Sequence, residues 1–291
     1  MLINIGIDVG KESLDLCVLL NKTIGKLKSK KFKNKKEGYI SDVEWLTKTI
    51  DCAPGTMLIT LEATGLYHEG IAYYLYSQSF RMFISNPGKA KKFAQSLGFV
   101  HKLDAAMLAK YGSVQPDDMS LWVPEDDDVR AIKTLIRRLN ALEKDKLRKS
   151  NRLEANLISD AAKRVIQSTR YLISVLGNEI MDIQNEIDQL ISSNQEMNKN
   201  RELLLSVPGI GAVMARELVY LFSAKKFTSA KHVAAYVGLI PRLNESGVLK
   251  GRSSLSKSGP ARTRSKIFLA AVCAGIGSRN VESDSDLLRC D

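Results

Sequence analysis

A seam of five aliphatic residues, spaced in alternating steps of four and three, limits the folds open to this chain more than any other feature. Its members are Leu176, Ile180, Ile183, Ile187 and Leu190. Such spacing lines side chains along one side of a helix, and the seam is stable only against a partner helix. The stretch 121–198 is charged and favours helix, and Pro124, followed by four acidic residues, is typical of a helix start. We therefore predict an antiparallel helical hairpin or coiled-coil arm over 121–198, paired within the chain or with a second subunit.

Residues 1–120, which precede this arm, alternate short β-rich runs with segments of helical spacing. The β-rich runs cover 2–9, 14–20, 57–61 and 81–85. The first two are separated by a polar turn and predict a hairpin, and the last is stopped by an Asn-Pro pair. This order of elements predicts an α/β domain.

Residues 199–275 predict a small, mainly α-helical domain with a helix-hairpin-helix element. A turn that contains Pro208, Gly209 and Gly211 lies between two helical runs. A glycine turn of this kind presents backbone N–H groups at a helix N-terminus, which suits a DNA phosphate without reading the bases. The alternative is an ordinary turn between helices that uses Pro and Gly for its geometry alone.

The overall charge favours a polyanionic partner. Lys and Arg number 43 against 32 Asp and Glu, a net charge of +11, and nucleic acid ranks ahead of an anionic membrane surface. A merely well-solubilised basic protein explains the charge about as well.

The four cysteines form no CxxC pair and the three histidines are not at ligand spacing, so neither zinc nor disulfides are expected. No apolar run reaches the roughly 20 residues that span a bilayer, and we expect a cytoplasmic protein without a membrane partner.

Two acidic residues stand at the ends of predicted strands. Asp8 ends the first β-rich run and Glu62 ends a later one. Strand ends open onto the functional edge of an α/β sheet, and a divalent cation relieves the repulsion between carboxylates there. Oxygen ligands suit Mg²⁺ or Mn²⁺, which activate a nucleophile and stabilise phosphoryl transfer. Either residue alone is explained as well by a polar strand end, and a sugar-kinase phosphate hairpin around Asp8 would require further glycine-rich loops that the sequence lacks.

Several motifs bring the chain close to a known family. Those of the first domain are Ile7–Lys11, Leu61–Gly65, Asn86-Pro87, Lys92–Gly98 and Asp104–Gly112. Those of the second domain are Val207–Gly211, Gly238–Pro241, Ser246-Gly247 and Ser256–Gly259. From about residue 3 to residue 275, in this order, they resemble the DEDD transposases of bacterial insertion sequences, of the IS110/IS1111 type that includes the Piv-like DNA invertases.

The resemblance implies a RuvC-like, RNase H-type first domain at 1–120, a coiled-coil arm, and a serine-carrying domain at 199–275. It implies an enzyme that moves or inverts DNA through a metal-bound acidic site and a serine nucleophile. Carried over by motif, Asp8, Glu62 and Asp104 are catalytic and ligate Mg²⁺ or Mn²⁺, within about one coordination shell of each other. Ser246 forms the phosphoserine link to DNA.

The resemblance also implies partners. These are the double-stranded DNA of the element ends and of the target, a structured guide RNA in some members, and a second copy of the chain through the coiled-coil arm. The residues expected to bind nucleic acid are Lys89, Lys91, Lys92, Pro208, Gly209, Gly211, Arg242, Arg252 and Lys257. Ser256 and Ser258 are weaker candidates, in a loop expected to hold phosphate.

The chain departs from the family pattern at two places. The family has Lys-Thr-Asp-x-x-Asp-Ala where this chain runs from His101 into Asp104, so we align Asp104 with the fourth acid and treat three residues, including the third acid, as absent. The tail 276–291 is polar and divergent, and we predict no structure there.

Because of these two departures, a weak or inactive recombinase is expected. The alternatives are a decayed copy that binds nucleic acid without cutting it, and a metal-dependent junction nuclease that needs only the first domain. A requirement for Ser246 separates recombinase from nuclease.

Overall fold

The computed structural model describes residues 3–20, 27–63, 65–98, 104–115, 120–242, 245–246, 249–250 and 253–287, without the side chains of 245–246, 249–250 and 276–287. The chain divides into two compact units, Met1–Pro124 and Glu125–Asp291. No helix in the described ranges has the length and hydropathy that a membrane span requires. The domain boundaries expected at 120, 198 and 275 stay predictions.

The first unit is built on a five-stranded sheet. Its elements are β1 Ile3–Val9, β2 Ser13–Leu19, β3 Leu27–Lys33, α1 Lys36–Thr49, β4 Met57–Glu62, α2 Glu69–Ser77, β5 Arg81–Ser85, α3 Pro87–Ser96 and α4 Ala105–Ser113. The strand order is β3-β2-β1-β4-β5. The first three strands are antiparallel neighbours, whereas β4 and β5 run parallel to β1. This is the order and direction of an RNase H-like sheet, and the predicted α/β class and first hairpin are confirmed.

One face of the sheet packs against α1 and α2. The strands alternate, so every second residue contributes an aliphatic side chain to this core. Its fully buried members include Ile5, Ile7, Leu14, Leu16, Leu46, Ile59, Leu61, Ile71 and Leu75. Each such side chain stabilises the fold by about 1.5–3 kcal/mol relative to exposure, so this layer fixes the positions of the central strands.

The opposite face is covered by α4, which lies unusually close to the two central strands. A Cβ on Gly6 of β1 would come within 1.9 Å of the Ala105 carbonyl oxygen, and a Cβ on Gly112 within 2.1 Å of Thr60 Oγ1. At Gly6 only glycine permits this approach of two backbones, and at Gly112 the missing side chain leaves room for that of Thr60. A Cβ on Gly112 would also come within 3.8 Å of Asn4 Oδ1, near the start of β1, whereas Ala105 lies at Gly6. The helix α4 therefore begins towards the carboxyl ends of β1 and β4.

The second unit is mainly helical. Its elements are α5 Asp127–Ile158, α6 Lys163–Ser193, α7 Gln195–Leu205, α8 Ala212–Ala224, α9 Ala230–Val237, β6 Pro241–Arg242, β7 Glu245–Ser246, β8 Leu249–Lys250, β9 Ser254–Leu255 and α10 Ala261–Leu287. The short strands pair as β6 with β9 and β7 with β8, both antiparallel. The sequence pattern predicted none of these two-residue strands.

Helices α5 and α6 form the predicted antiparallel arm. Ile183 and Ile187, from the aliphatic seam of α6, lie in one buried cluster with Ile132 and Leu139 of α5. The seam therefore finds its partner helix within the chain. The paired helices are confirmed, and an intermolecular partner is not needed to bury this half of the seam.

The last helix continues beyond the point where the sequence pattern predicted no structure. It is anchored near its start, where Thr263 donates a hydrogen bond to Glu217 Oε1 of α8 and the Lys266 ammonium pairs with Glu217 Oε2. Extending a helix that is already nucleated adds one hydrogen bond for each residue fixed. An anchored start therefore carries α10 through a segment that has no apolar periodicity of its own.

Candidate active site

Asp8 and Glu62 lie side by side on neighbouring strands. The parallel register pairs Ile7 with Leu61, and Asp8 and Glu62 are the next residues of β1 and β4. Residues in register point to the same face, and Asp8 alternates with Gly6, which contacts α4. Both carboxylates are half-buried. They thus share the carboxyl end of the α4 face, as their positions at strand ends suggested.

Asp104 reaches the same side of the sheet from the helix. It is the N-cap of α4, and its Oδ1 accepts a hydrogen bond from the Met107 backbone N–H at 2.8 Å. Its charge also acts on Cys17 of β2, which pairs with Gly6. Burial raises the pKa of the Cys17 thiol, and the nearby Asp104 carboxylate adds to that increase. The third carboxylate therefore lies on the α4 side of the sheet, towards the end that holds the other two.

The chemistry of this donor set fits a hard divalent cation, because all three groups are carboxylates. Among the residues that the structure describes, however, no three acidic, imidazole or thiol groups lie close enough together to hold a metal ion. Asp104 instead directs one oxygen to its own helix. The convergence of Asp8, Glu62 and Asp104 in one coordination shell is not seen in this arrangement of side chains, and their assignment as metal ligands stays a prediction.

The residues that neighbour this pair in strand register form a row across all five strands of the sheet. In strand order its members are Lys31, Asp15, Asp8, Glu62 and Ser85. Asp15 pairs with Asp8 across the β1–β2 hairpin, and its Oδ2 lies 3.4 Å from Lys31 Nζ. The sequence interpretation overlooked Asp15, and it did not place Lys31 beside the carboxylates. Counting outward from the predicted hairpin turn would have found Asp15, since an antiparallel register follows from the turn.

The lysines expected to bind nucleic acid in the first unit lie on α3. This helix begins directly after β5, beside the carboxylate pair, and the Asn86 side chain caps it by accepting hydrogen bonds from the N–H groups of Gly88 (2.9 Å) and Lys89 (3.3 Å). Lys89, Lys91 and Lys92 are all exposed. Their role in binding stays a prediction.

In the second unit, the glycine turn between α7 and α8 has a packing role. Gly209 has φ +84°, and a Cβ there would come within 2.4 Å of the Ala270 carbonyl oxygen of α10. Glycine is therefore required at this position whether or not the turn touches DNA. Gly211, by contrast, has open space around it and is the N-cap of α8, without a capping side chain. Together with the exposed Pro208, it leaves the N-terminus of α8 accessible.

The predicted nucleophile belongs to the β7–β8 hairpin, where the backbone of Ser246 pairs with Leu249. Its side chain lies outside what the structure describes, as does the whole of Arg252. Arg242 is exposed on β6. Lys257 is exposed and has φ +52°, a left-handed conformation that costs free energy in a non-glycine residue.

Comparison with known proteins gives matches over both units. A family model described as a DEDD transposase of the IS110 type matches residues 5–159, and one described as a transposase of the IS116/IS110/IS902 family matches 201–285. The pilin gene-inverting proteins of Moraxella lacunata and Moraxella bovis are each 31% identical over 278 residues, covering 94% of this chain and 83% of the relative. Among solved structures, T. thermophilus RuvC in complex with a Holliday junction matches 38% of this chain and 91% of its own, at 13% identity and a TM-score of 0.24.

Proposed function

Because this chain belongs to the IS110 family of DEDD transposases, we propose that it cuts and rejoins DNA strands at specific sites, so that a DNA segment is moved or inverted. The pilin gene-inverting relatives, matched along 94% of the chain, support inversion or a related strand exchange. The observation that carries the proposal is the position of Asp8 and Glu62, which directly follow the registered pair Ile7 and Leu61 at the carboxyl ends of two neighbouring strands, with α4 beginning towards the same ends.

The three carboxylates and the serine have separate roles in this proposal. Asp8, Glu62 and Asp104 would hold Mg²⁺ or Mn²⁺, which when bound supplies a Lewis acid for phosphoryl transfer. The Ser246 hydroxyl attacks a DNA phosphorus, so that a Ser–O–P bond forms, a P–O bond of the DNA breaks, and the released DNA hydroxyl takes up the proton. A hydroxyl of a second DNA strand then attacks the phosphoserine, which joins the strands and restores the serine. One ester is exchanged for another at each step, so no external energy source is required.

We further propose that activity is weak, because the alignment of Asp104 with the fourth acid leaves no third carboxylate. Mg²⁺ holds near-octahedral geometry, and an ion displaced within its site costs rate in phosphoryl transfer. A copy that binds DNA without cutting it is the limiting case of the same argument. A structured guide RNA is a second proposed nucleic acid partner, consistent with the net charge of +11.

The α5–α6 arm supports a homo-oligomer. Its half distant from the buried cluster around Ile187 exposes large apolar side chains, among them Ile158, Tyr171 and Val175 with 81%, 69% and 45% of their surface accessible. Several large apolar side chains exposed on one half of an arm are typical of an interface. We propose a second copy of the chain as its occupant. Light scattering tests this by comparing the molar mass of Tyr171→Glu in solution with that of the wild type.

The central experiment looks for a covalent protein–DNA adduct. The full-length protein is incubated with labelled element-end DNA and Mg²⁺, and denaturing gels separate the adduct from free DNA. We expect an adduct that Ser246→Ala abolishes and Asp8→Asn diminishes strongly. The matched control is Ser193→Ala, at an exposed serine of α6 outside the family motifs, which should retain the adduct. Cleavage that persists in Ser246→Ala would instead identify a junction nuclease, and retained DNA affinity without any cleavage would identify a non-catalytic binding protein.

A further inference from the structure

The edge strand β3 carries four lysines that alternate between the two faces of the sheet. Lys31 pairs with Asp15 in the row of carboxylates, and Lys33 lies two residues further on the same face. Lys28 and Lys30 point to the opposite face. All four lysines are exposed. The strand therefore presents two equal pairs of positive charges, of which only one faces the side that holds Asp8.

Lys31 is placed to reach a phosphate beside the carboxylate pair. It lies two strands from Asp8 in the same row, and strands are about 4.8 Å apart, so the two Cα atoms are separated by roughly 10 Å. A DNA strand carries one charge per about 3.4 Å along the helix axis. A strand with one phosphate at Asp8 and Glu62 therefore brings neighbouring phosphates within range of the flexible side chains of Lys31 and Lys33.

We propose that Lys31 and Lys33 form a phosphate-contacting track that holds the DNA strand on the β3 side of the carboxylate pair. The inference rests on the proposed DNA-cutting function and names the surface that positions the substrate. The present partner of Lys31 does not prevent this role. Its ion pair with Asp15 spans 3.4 Å between side chains that are 65% and 47% exposed, and pairs this exposed contribute little stability. Lys31 can therefore exchange the carboxylate for a phosphate at little cost.

The lysines of β3 also have a role that needs no DNA. Lysines on an edge strand prevent other strands from adding to the sheet. That role requires charge on the strand but does not distinguish its two faces. Contact with DNA at the carboxylate pair, in contrast, depends on Lys31 and Lys33 and leaves Lys28 and Lys30 without effect.

The experiment compares two double variants of the full-length chain that remove equal charge from the same strand. Lys31→Ala/Lys33→Ala is measured against Lys28→Ala/Lys30→Ala by fluorescence anisotropy, with a labelled DNA duplex in EDTA so that no cleavage occurs. We expect the first variant to bind about tenfold more weakly near 0.1 M salt, with a slope of log affinity against log salt that is smaller by about 1–2. The second variant should stay within about twofold of the wild type, with an unchanged slope. Thermal unfolding confirms that both are folded, and Lys31→Arg/Lys33→Arg should restore binding.

Equal losses in both double variants would overturn the track, since they would indicate diffuse attraction by the whole edge. So would unchanged binding in the Lys31/Lys33 variant. Anionic vesicles serve as a second probe, and a loss confined to vesicle binding would assign this face to a membrane surface instead. If the wild type forms the Ser246 adduct while the double variant binds DNA normally, only the track fails. If the wild type has no salt-dependent affinity for DNA, both the track and the proposed function fail.

Discussion

Arg216 of α8 and Asp188 of α6 form a two-pronged ion pair. Nε of the guanidinium donates to Oδ1 at 2.8 Å, and Nη2 donates to Oδ2 at 2.7 Å. The arginine side chain is only 14% exposed. This geometry ties the helical arm to the helix that follows the glycine turn, and it depends on the planar fork of arginine, which lysine does not have.

We expect Arg216→Lys to lower the free energy of unfolding by about 1–2 kcal/mol, because one of two charge-assisted hydrogen bonds is lost in a largely buried setting. Urea unfolding measures the change. The matched control is Arg148→Lys, whose pair with Asp145 is formed by a side chain that is 78% exposed, and which should cost less than about 0.5 kcal/mol. Equal costs at the two positions would mean that the fork geometry is unimportant.

Asp42 makes stability depend on pH. It is fully buried in α1, and within the described part of the chain neither of its carboxylate oxygens has a hydrogen-bond partner. Burial raises its pKa from 3.8 to about 8. Between these values the folded state binds a proton that the unfolded state releases, so stability falls as the pH rises from about 4 to about 8.

Replacing Asp42 by Asn should remove this dependence. We expect Asp42→Asn to exceed the wild type in stability by an amount on the order of a few kcal/mol above pH 8, and the difference to vanish near pH 4. Chemical unfolding across that range is the measurement. A variant that loses stability with pH as steeply as the wild type would show that another group is responsible.

Gly6 should tolerate no side chain. The Cβ of Gly6→Ala would stand 1.9 Å from a backbone oxygen of α4, so the helix has to shift, at a cost of about 1–3 kcal/mol. The shift also displaces Asp104, and we expect DNA cleavage to fall further than stability alone explains. Gly55→Ala, with open space around it, is the control for both thermal unfolding and cleavage. Normal cleavage in a folded Gly6→Ala protein would contradict the assignment of Asp104.

The sequence before Asp104 also permits an alignment without a deletion. His101 stands three residues earlier, the spacing that the family pattern gives to its third acid, although it lies outside the described residues. Mg²⁺ prefers anionic oxygen to a neutral nitrogen. We therefore expect His101→Asp to raise adduct formation roughly tenfold, whereas Lys102→Asp, which adds the same charge one residue away, does not. An increase from inserting three residues after Lys102 would instead support the deletion.

The features visible in the sequence were those that repeat along one element. The α6 seam predicted its own helical partner, and strands ending in Asp8 and Glu62 predicted an acidic sheet edge. The features that the sequence did not reveal depend on pairing between elements. Asp15 and Lys31 join the row only through strand register, and the capping role of Asp104 depends on where α4 begins. The turn that contains Gly209 has the sequence of a DNA-binding turn, yet the close approach of Gly209 to α10 already requires a glycine.

The long chain segment between β1 and β4 also determines when the carboxylate pair of Asp8 and Glu62 can form. The β1–β2 hairpin pairs nearby residues and closes on a microsecond timescale. Asp8 meets Glu62 only after the whole segment between them has been made and folded back, and such distant pairings are slow to form. Asp104 precedes a helix that lies still further along the chain and is therefore synthesised later. A nascent or partly folded chain therefore lacks the assembled carboxylate pair, and a DNA-cutting activity that depends on this pair requires the completed sheet.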